Sequence, residues 1–111
     1  MTQQLLSSKP QISLYEYFGI EVFFLSSDTQ PLVVYGEFQS RISKIMIHLD
    51  NGVYSHLTVD TVDNCQPLEK QELDKFTKVV NNNLTEIIKS WSNHYIYRKN
   101  IQFEKINKPI L

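Results

Sequence analysis

The tripeptide Asp50-Asn51-Gly52 constrains the fold of this chain more than any other local feature. It separates two apolar runs, residues 41–49 and 53–59. Asn-Gly between two such runs is the strongest short signal for a β-hairpin, because a type I′ turn needs positive φ at both central residues. The sequence therefore predicts two antiparallel strands joined by a two-residue turn.

The predicted turn also sets the register of the hairpin. If Asp50 pairs with Val53 and no residue is inserted, His48 faces Ser55 and His56 falls opposite the residue before His48. Side chains alternate between the two faces of a strand, so the two histidines are predicted to point to opposite faces of the sheet. A shared metal ion needs ligands that converge, and this register excludes that site.

Aromatic and β-branched runs predict two further strands before the hairpin. Gly19 divides the first run, and Gly36 ends the second, where we expect a β-bulge. The segment between the two runs is a turn by composition. The predicted strands cover residues 20–25, 32–35, 41–49 and 53–59, and the turn covers residues 26–31.

A helical stripe follows the hairpin. Apolar residues recur at spacings of three and four, which is the period of an α-helix packed on a core. Asn81-Asn82-Asn83 does not interrupt the spacing of the apolar residues, but asparagine has a low helix propensity. The stretch is therefore one long helix, which we favour, or two helices broken at the asparagines. The alternating pattern of residues 97–106 predicts a last strand. The stripe comprises Leu73, Phe76, Val80, Leu84, Ile87 and Trp91.

The predicted fold class is thus α+β: an antiparallel sheet of four to five strands with one long, continuous or broken, helix packed on one face. The chain has 111 residues, of which 41% are hydrophobic, so we expect a single domain over residues 1–111. Residues 1–10 are expected to be a loose leader. A lone cysteine and the lack of a signal or membrane-spanning run predict a cytoplasmic protein.

The ionisable residues give no sign of catalysis. Cys65 has no histidine nearby in sequence, and the acidic neighbours Asp60 and Asp63 are expected to raise the pKa of its thiol. Glu69 and Glu72 complement the positive end of the predicted helix, which accounts for them without chemistry. The three glycines cannot form a phosphate-binding loop. We therefore predict no enzyme activity, no cofactor and no metal.

Aromatic and basic residues are the candidates for contact with a partner. The aromatic side chains are numerous for one small core, and some are expected to be exposed. A net charge of -1 argues against a protein dominated by phosphate contacts, although a local basic patch follows the helix. The predicted contact residues are Tyr35, Phe38, Arg41, Lys44, Tyr97, Arg98, Lys99 and Lys105.

A series of short motifs resembles a small bacterial family, domain-of-unknown-function family 4160. The likeness covers roughly residues 12–95 and is carried by the order of the motifs. These are Tyr17-Phe18-Gly19-Ile20, Ser27-Asp28 with Pro31, Val33-x-Tyr35-Gly36-Glu37, Pro67-Leu68 and the helix end Ile87-Ile88-Lys89-Ser90-Trp91.

The chain departs from that family just before its Tyr-Gly-Glu motif. Members carry a His-x-His segment there, whereas this chain reads Gln30-Pro31-Leu32-Val33-Val34. The resemblance implies a shared fold, and it implies that any chemistry of those histidines has been lost here. It also implies a small accessory gene product, in some cases part of a toxin–antitoxin-like pair.

These observations together predict a non-enzymatic protein-binding or regulatory module, of a toxin–antitoxin-like kind or an inhibitor of a defence protein encoded by a phage or mobile element. An accessory protein that binds RNA, DNA or a nucleoprotein complex is one alternative, and a degenerate member of a metal or enzyme family is another. The expected partner is another protein, with nucleic acid as the alternative and a homodimer allowed. No membrane partner is expected.

Overall fold

The computed structural model describes residues 11–25, 32–95 and 103–110. These residues fold around one mixed β-sheet. Within these residues the sheet has six strands in the order β5-β4-β3-β2-β1-β6. The α+β class is confirmed, while the sheet has more strands than the four to five expected. The strands are β1 (Gln11–Tyr17), β2 (Ile20–Leu25), β3 (Leu32–Phe38), β4 (Arg41–Asp50), β5 (Val53–Thr61) and β6 (Glu104–Ile106).

Two-residue turns with positive φ close three of the hairpins. Asn51 and Gly52 have φ values of 52° and 81°, which confirms the predicted β4–β5 turn. The β1–β2 turn at Phe18-Gly19 and the β3–β4 turn at Gln39-Ser40 also place both central residues at positive φ. Tight turns of this kind keep consecutive strands adjacent, and β1 to β5 therefore form an antiparallel meander.

Gly36 does not end β3, and the expected bulge at this position is wrong. The glycine lies inside the strand and pairs in regular register with Val22 on one side and Ser43 on the other. A Cβ atom built on Gly36 would lie 2.7 Å from Cγ of Phe76. The residue is therefore a glycine because the first helix presses an aromatic ring against the sheet at this point.

Two helices follow β5, namely α1 (Lys70–Asn82) and α2 (Leu84–Tyr95). The single long helix that we favoured is wrong. Asn83 ends α1, because its Nδ2 donates a hydrogen bond of 2.8 Å to the carbonyl oxygen of Val79. Its own carbonyl then accepts the N–H of Ile87, 2.8 Å away, within the first turn of α2. The asparagine run is thus a real break, as the alternative interpretation allowed.

The helices cover one side of the sheet, which we call the helix face. The predicted stripe lies in this interface, where Phe76 and Ile87 are fully buried and Trp91 is 7% exposed. We call the opposite side the far face. A second buried cluster lies there and contains Phe23, Leu25, Val33, Tyr35, Ile42 and Val62.

The last strand is shorter than predicted and differs in sense. β6 pairs in parallel with β1, with Tyr17 opposite Ile106. The direction in which a strand pairs is a property of the whole fold, and the local sequence pattern does not encode it. The leader at 1–10, the turn at 26–31, and the predicted contact residues Tyr97, Arg98 and Lys99 lie outside the described residues.

Candidate protein-binding edge

Within residues 11–25, 32–95 and 103–110, β5 is the most exposed helix or strand, and its outer edge is open. Among the described residues, β5 is the terminal strand of the sheet and pairs only with β4. Seven of its nine residues are exposed and the other two are half-buried. The strand contains one formally charged residue, Asp60, and neither lysine nor proline. Apart from Asp60, it therefore lacks the charged residues and prolines that usually protect a sheet edge from pairing with another chain.

An apolar strip runs along the helix face of β5. We define this outer strip as Tyr54, Leu57 and Val59. Val59 pairs with the buried Ile45, and Leu57 pairs with the buried Ile47, so the strip continues the layer of the core outwards. Tyr54 and Val59 are nevertheless 39% and 45% exposed. The apolar layer of this fold thus reaches an open edge of the sheet.

On the far face of the same hairpin, the predicted separation of the two histidines is wrong. Leu49 pairs with Tyr54 as the turn dictates, but the register then shifts and His48 pairs directly with His56. The extra residue is Ser55, which makes a β-bulge next to the turn. The bulge moves His56 to the face that carries His48.

The two imidazole rings stack on each other. Their centroids are 4.3 Å apart and their planes differ by 6°. His48 Nε2 shares a hydrogen bond of 2.8 Å with Thr58 Oγ1, and His56 Nδ1 shares one of 3.0 Å with Ser55 Oγ. Lone pairs in two parallel ring planes do not converge on one point, so this geometry does not form a shared two-histidine ligand set.

The predicted contact residues on β3 and β4 have structural partners. Tyr35 is buried on the far face and stacks on Phe23, with ring centroids 5.6 Å apart. Phe38 is half-buried and packs against the helix-face core. Arg41 is half-buried and donates from Nη1 to the carbonyl oxygen of Pro67 at 3.1 Å. The structure therefore places these three side chains in or beside the core.

The described basic residues of the predicted patch are spread over the sheet. Lys44 lies on β4 and pairs with Asp60 of β5. Lys105 lies on β6, and its Nζ is 3.7 Å from a carboxylate oxygen of Glu16. β4 and β6 are four strand positions apart, or about 19 Å at the usual strand spacing. The structure does not bring Lys44 and Lys105 together.

The pKa of the Cys65 thiol is shifted in the direction expected from sequence, with Asp63, but not Asp60, among the charges that raise it. Burial raises the pKa of the Cys65 thiol, and the charges of Glu37 and Asp63 raise it further. Asp63 was anticipated from its position in sequence, whereas Glu37 approaches only through the fold. A raised pKa lowers the fraction of thiolate at neutral pH, which is the wrong direction for a nucleophile.

We expect Cys65 to react with iodoacetamide more slowly than a free cysteine at pH 8, because less of it is thiolate. The difference is expected to shrink as the pH rises, since the thiol then ionises. Alkylation followed by mass spectrometry against pH measures this. Glu37→Gln is expected to speed the reaction at pH 8, whereas Glu69→Gln, on an exposed helix-cap residue, serves as the control. Equal rates for the two variants would contradict the electrostatic contribution of Glu37.

Sequence reasoning missed the outer strip, although a signal for it was present. Leu57 and Val59 alternate with polar residues, which is the pattern of a strand with one apolar face. Whether such a face is covered depends on where the helices lie, and that is not a local property. The bulge at Ser55, which brings Tyr54 onto the same face, has no distinct signature in sequence.

The comparisons with known proteins leave the class of this chain open. No protein-family model matches it, and no curated protein and no solved structure is significantly similar. The resemblance to family 4160 therefore stays a prediction. Within residues 11–25, 32–95 and 103–110, no group of three or more His, Cys, Asp or Glu side chains is placed to hold a metal ion. No helix in these same segments is long and apolar enough to cross a membrane.

Proposed function

We propose that this chain is a non-enzymatic protein-binding module with a regulatory role, and that the outer edge of β5 is its binding surface. The observation that carries the proposal is the outer strip, an apolar continuation of the core that ends at an exposed strand. Proteins bind to such an edge by adding a strand, where backbone hydrogen bonds give affinity and alternate side chains give specificity. Tyr54, Leu57 and Val59 would supply the specificity on the helix face.

The composition of β5 supports this proposal over binding of nucleic acid. A protein that binds phosphates through its surface needs clustered Lys and Arg side chains, and β5 has none. Its exposed helix-face residues Tyr54 and Val59 are aromatic and apolar, and aromatic side chains are enriched in protein interfaces. The resemblance to family 4160 adds that the partner is a toxin-like or defence-related protein.

A photo-crosslinking residue at position 59 tests the location of the surface. We expect p-benzoylphenylalanine in place of Val59 to form a discrete crosslinked product in extracts of the native host, because the position lies at the centre of the proposed interface. The same residue in place of Lys89, which is exposed on α2, is the matched control and is expected to give no such product. A product from position 89 alone would place the binding surface on the helices and contradict the proposal.

Val59→Lys is expected to weaken binding of the partner recovered in this way by about tenfold or more, because a charge replaces an apolar contact in the interface. Isothermal titration calorimetry or interferometry with the purified partner measures the change. Val53→Lys is the control, since Val53 is 68% exposed, lies on the same strand and faces away from the outer strip. Equal affinities for the two variants would show that the outer strip does not bind the partner.

A further inference from the structure

We infer that the outer edge of β5 is closed by a second copy of this chain, whose β5 pairs antiparallel with it about a two-fold axis at Thr58. The inference rests on the proposed function, because it names an occupant for the same surface. A different regulatory partner would then compete with the second copy. The result would be one continuous sheet through two copies, with the helices of both on the same side.

The two-fold axis restricts the register to a few choices. A two-fold axis perpendicular to the sheet keeps the helix faces of both copies on the same side. Helix-face residues of one copy must therefore pair with helix-face residues of the other across the boundary between the two β5 strands, which we call the seam. In the register centred on Thr58, the two Thr58 residues pair with each other. Leu57 then meets Val59 of the second copy on the helix face, and His56 meets Asp60 of the second copy on the far face.

The pairing of His56 with Asp60 favours this register over registers centred on either of these two residues. Within one chain, Asp60 pairs with Lys44, and His56 pairs with His48. Across the seam, the carboxylate of Asp60 would lie between Lys44 of its own chain and His56 of the second copy. A register centred on His56 would pair that histidine with itself, and one centred on Asp60 would place two carboxylates opposite each other, which is destabilising.

The apolar contacts agree with the same register. Ile45 pairs with Val59 and Ile47 pairs with Leu57 inside each chain. Joining Val59 to Leu57 of the second copy therefore makes an unbroken apolar row of four residues, repeated twice by symmetry. This row would cover apolar surface of Val59, a residue that is 45% exposed in the single chain.

The helices leave room for a second copy. α1 contacts β1, β2 and, through Phe76, Gly36 of β3, and β3 is two strand positions from β5, or about 10 Å at the usual spacing. One strand from each copy forms a small interface, so we expect a reversible dimer with a Kd in the micromolar range.

A single engineered cysteine tests the register. Thr58→Cys in a Cys65→Ser background is expected to form a disulfide-linked dimer under mild oxidation. Directly paired residues have Cα atoms about 4.5–5.5 Å apart, which is within the range that a disulfide bridges. Val53→Cys in the same background is the control, because in this register the two copies of residue 53 lie about 27 Å apart along the strands when the bulge is counted. It is expected to stay monomeric on non-reducing gels.

A charge exchange tests the same seam without a covalent bond. Asp60→Lys and His56→Asp are each expected to abolish the dimer, since each pairs like charges or weakens the attraction across the seam. An equimolar mixture of the two variants is expected to restore a dimer, because Lys at 60 then meets Asp at 56 and the other pair is native. Light scattering coupled to size exclusion measures the masses, and thermal unfolding of each variant checks that it is folded.

The outcomes separate this inference from the proposed function. Crosslinking at position 58 together with recovery of the dimer in the mixture supports the self-paired edge. The inference is overturned if the wild-type chain stays monomeric up to near-millimolar concentration and the Thr58→Cys variant does not crosslink. A dimer that neither set of variants changes also overturns it. In both of these cases a crosslink from position 59 to a different protein would still support the proposed function.

Discussion

Gly36→Ala is expected to lower the free energy of unfolding by about 3 kcal/mol, although the added atom is a single methyl group. The new Cβ would lie 2.7 Å from Cγ and 2.8 Å from both Cδ atoms of Phe76, distances that real Cβ contacts do not reach. Phe76 is fully buried, so its ring has no free space to move into, and α1 must move away from the sheet. Overpacking of this kind costs about 1–3 kcal/mol and sometimes more.

The loss at Gly36 is measured by urea unfolding, and a double-mutant cycle assigns it to the contact. Phe76→Ala alone is expected to cost about 3–5 kcal/mol. In its presence, the further cost of Gly36→Ala is expected to fall close to zero, which gives a coupling energy of about 1–3 kcal/mol. Gly52→Ala is the matched control, because no atom lies within 4 Å of its Cβ and only its positive φ opposes the change. Additive losses at Gly36 and Phe76 would contradict the steric explanation.

The hairpin and the helical stripe were predictable because their signals are local. A type I′ turn requires positive φ at two adjacent residues. Asn51 and Gly52 accommodate it, so the turn follows from these two residues alone. The spacing of apolar residues from Leu73 to Trp91 reports one buried face, whatever the sheet looks like. Gln39-Ser40 makes the same kind of turn without such a signal. There the pairing of β3 with β4 imposes the positive φ values.

The candidate site was less predictable, because it depends on one inserted residue and on what the helices leave uncovered. The bulge at Ser55 changes the face of His56 without changing the composition of the strand. The exposure of Val59 follows from the position of α1, which contacts β1, β2 and Gly36 of β3 and comes later in the chain. A pattern read one strand at a time identifies an apolar face, but only the assembled sheet shows whether that face is covered.

The connection between β5 and α1 is fixed to the sheet by one buried hydroxyl group, so Ser43→Ala is expected to lower the free energy of unfolding by about 1–3 kcal/mol. Ser43 is 2% exposed, and its Oγ accepts the backbone N–H of the buried Leu68 at 2.9 Å. Alanine removes the acceptor and leaves that N–H without this partner in an apolar region, which costs more than the loss of an exposed hydrogen bond.

The stability lost in Ser43→Ala is expected to come from weaker attachment of the β5–α1 connection to β4. The neighbouring N–H of Ile42 donates to the carbonyl of Gln66 at 2.8 Å, so residues 66–68 run beside β4 where β5 has ended. In Ser43→Ala, amide hydrogen exchange is expected to rise first at Leu68 and at Ile42. Ser55→Ala, which removes an exposed hydroxyl from β5, is the control and is expected to cost less than about 0.5 kcal/mol. If both variants lose the same stability, the hydroxyl of Ser43 does not hold the connection, which the hydrogen bonds of Gln66 and Pro67 and the apolar contacts of α1 then position without it.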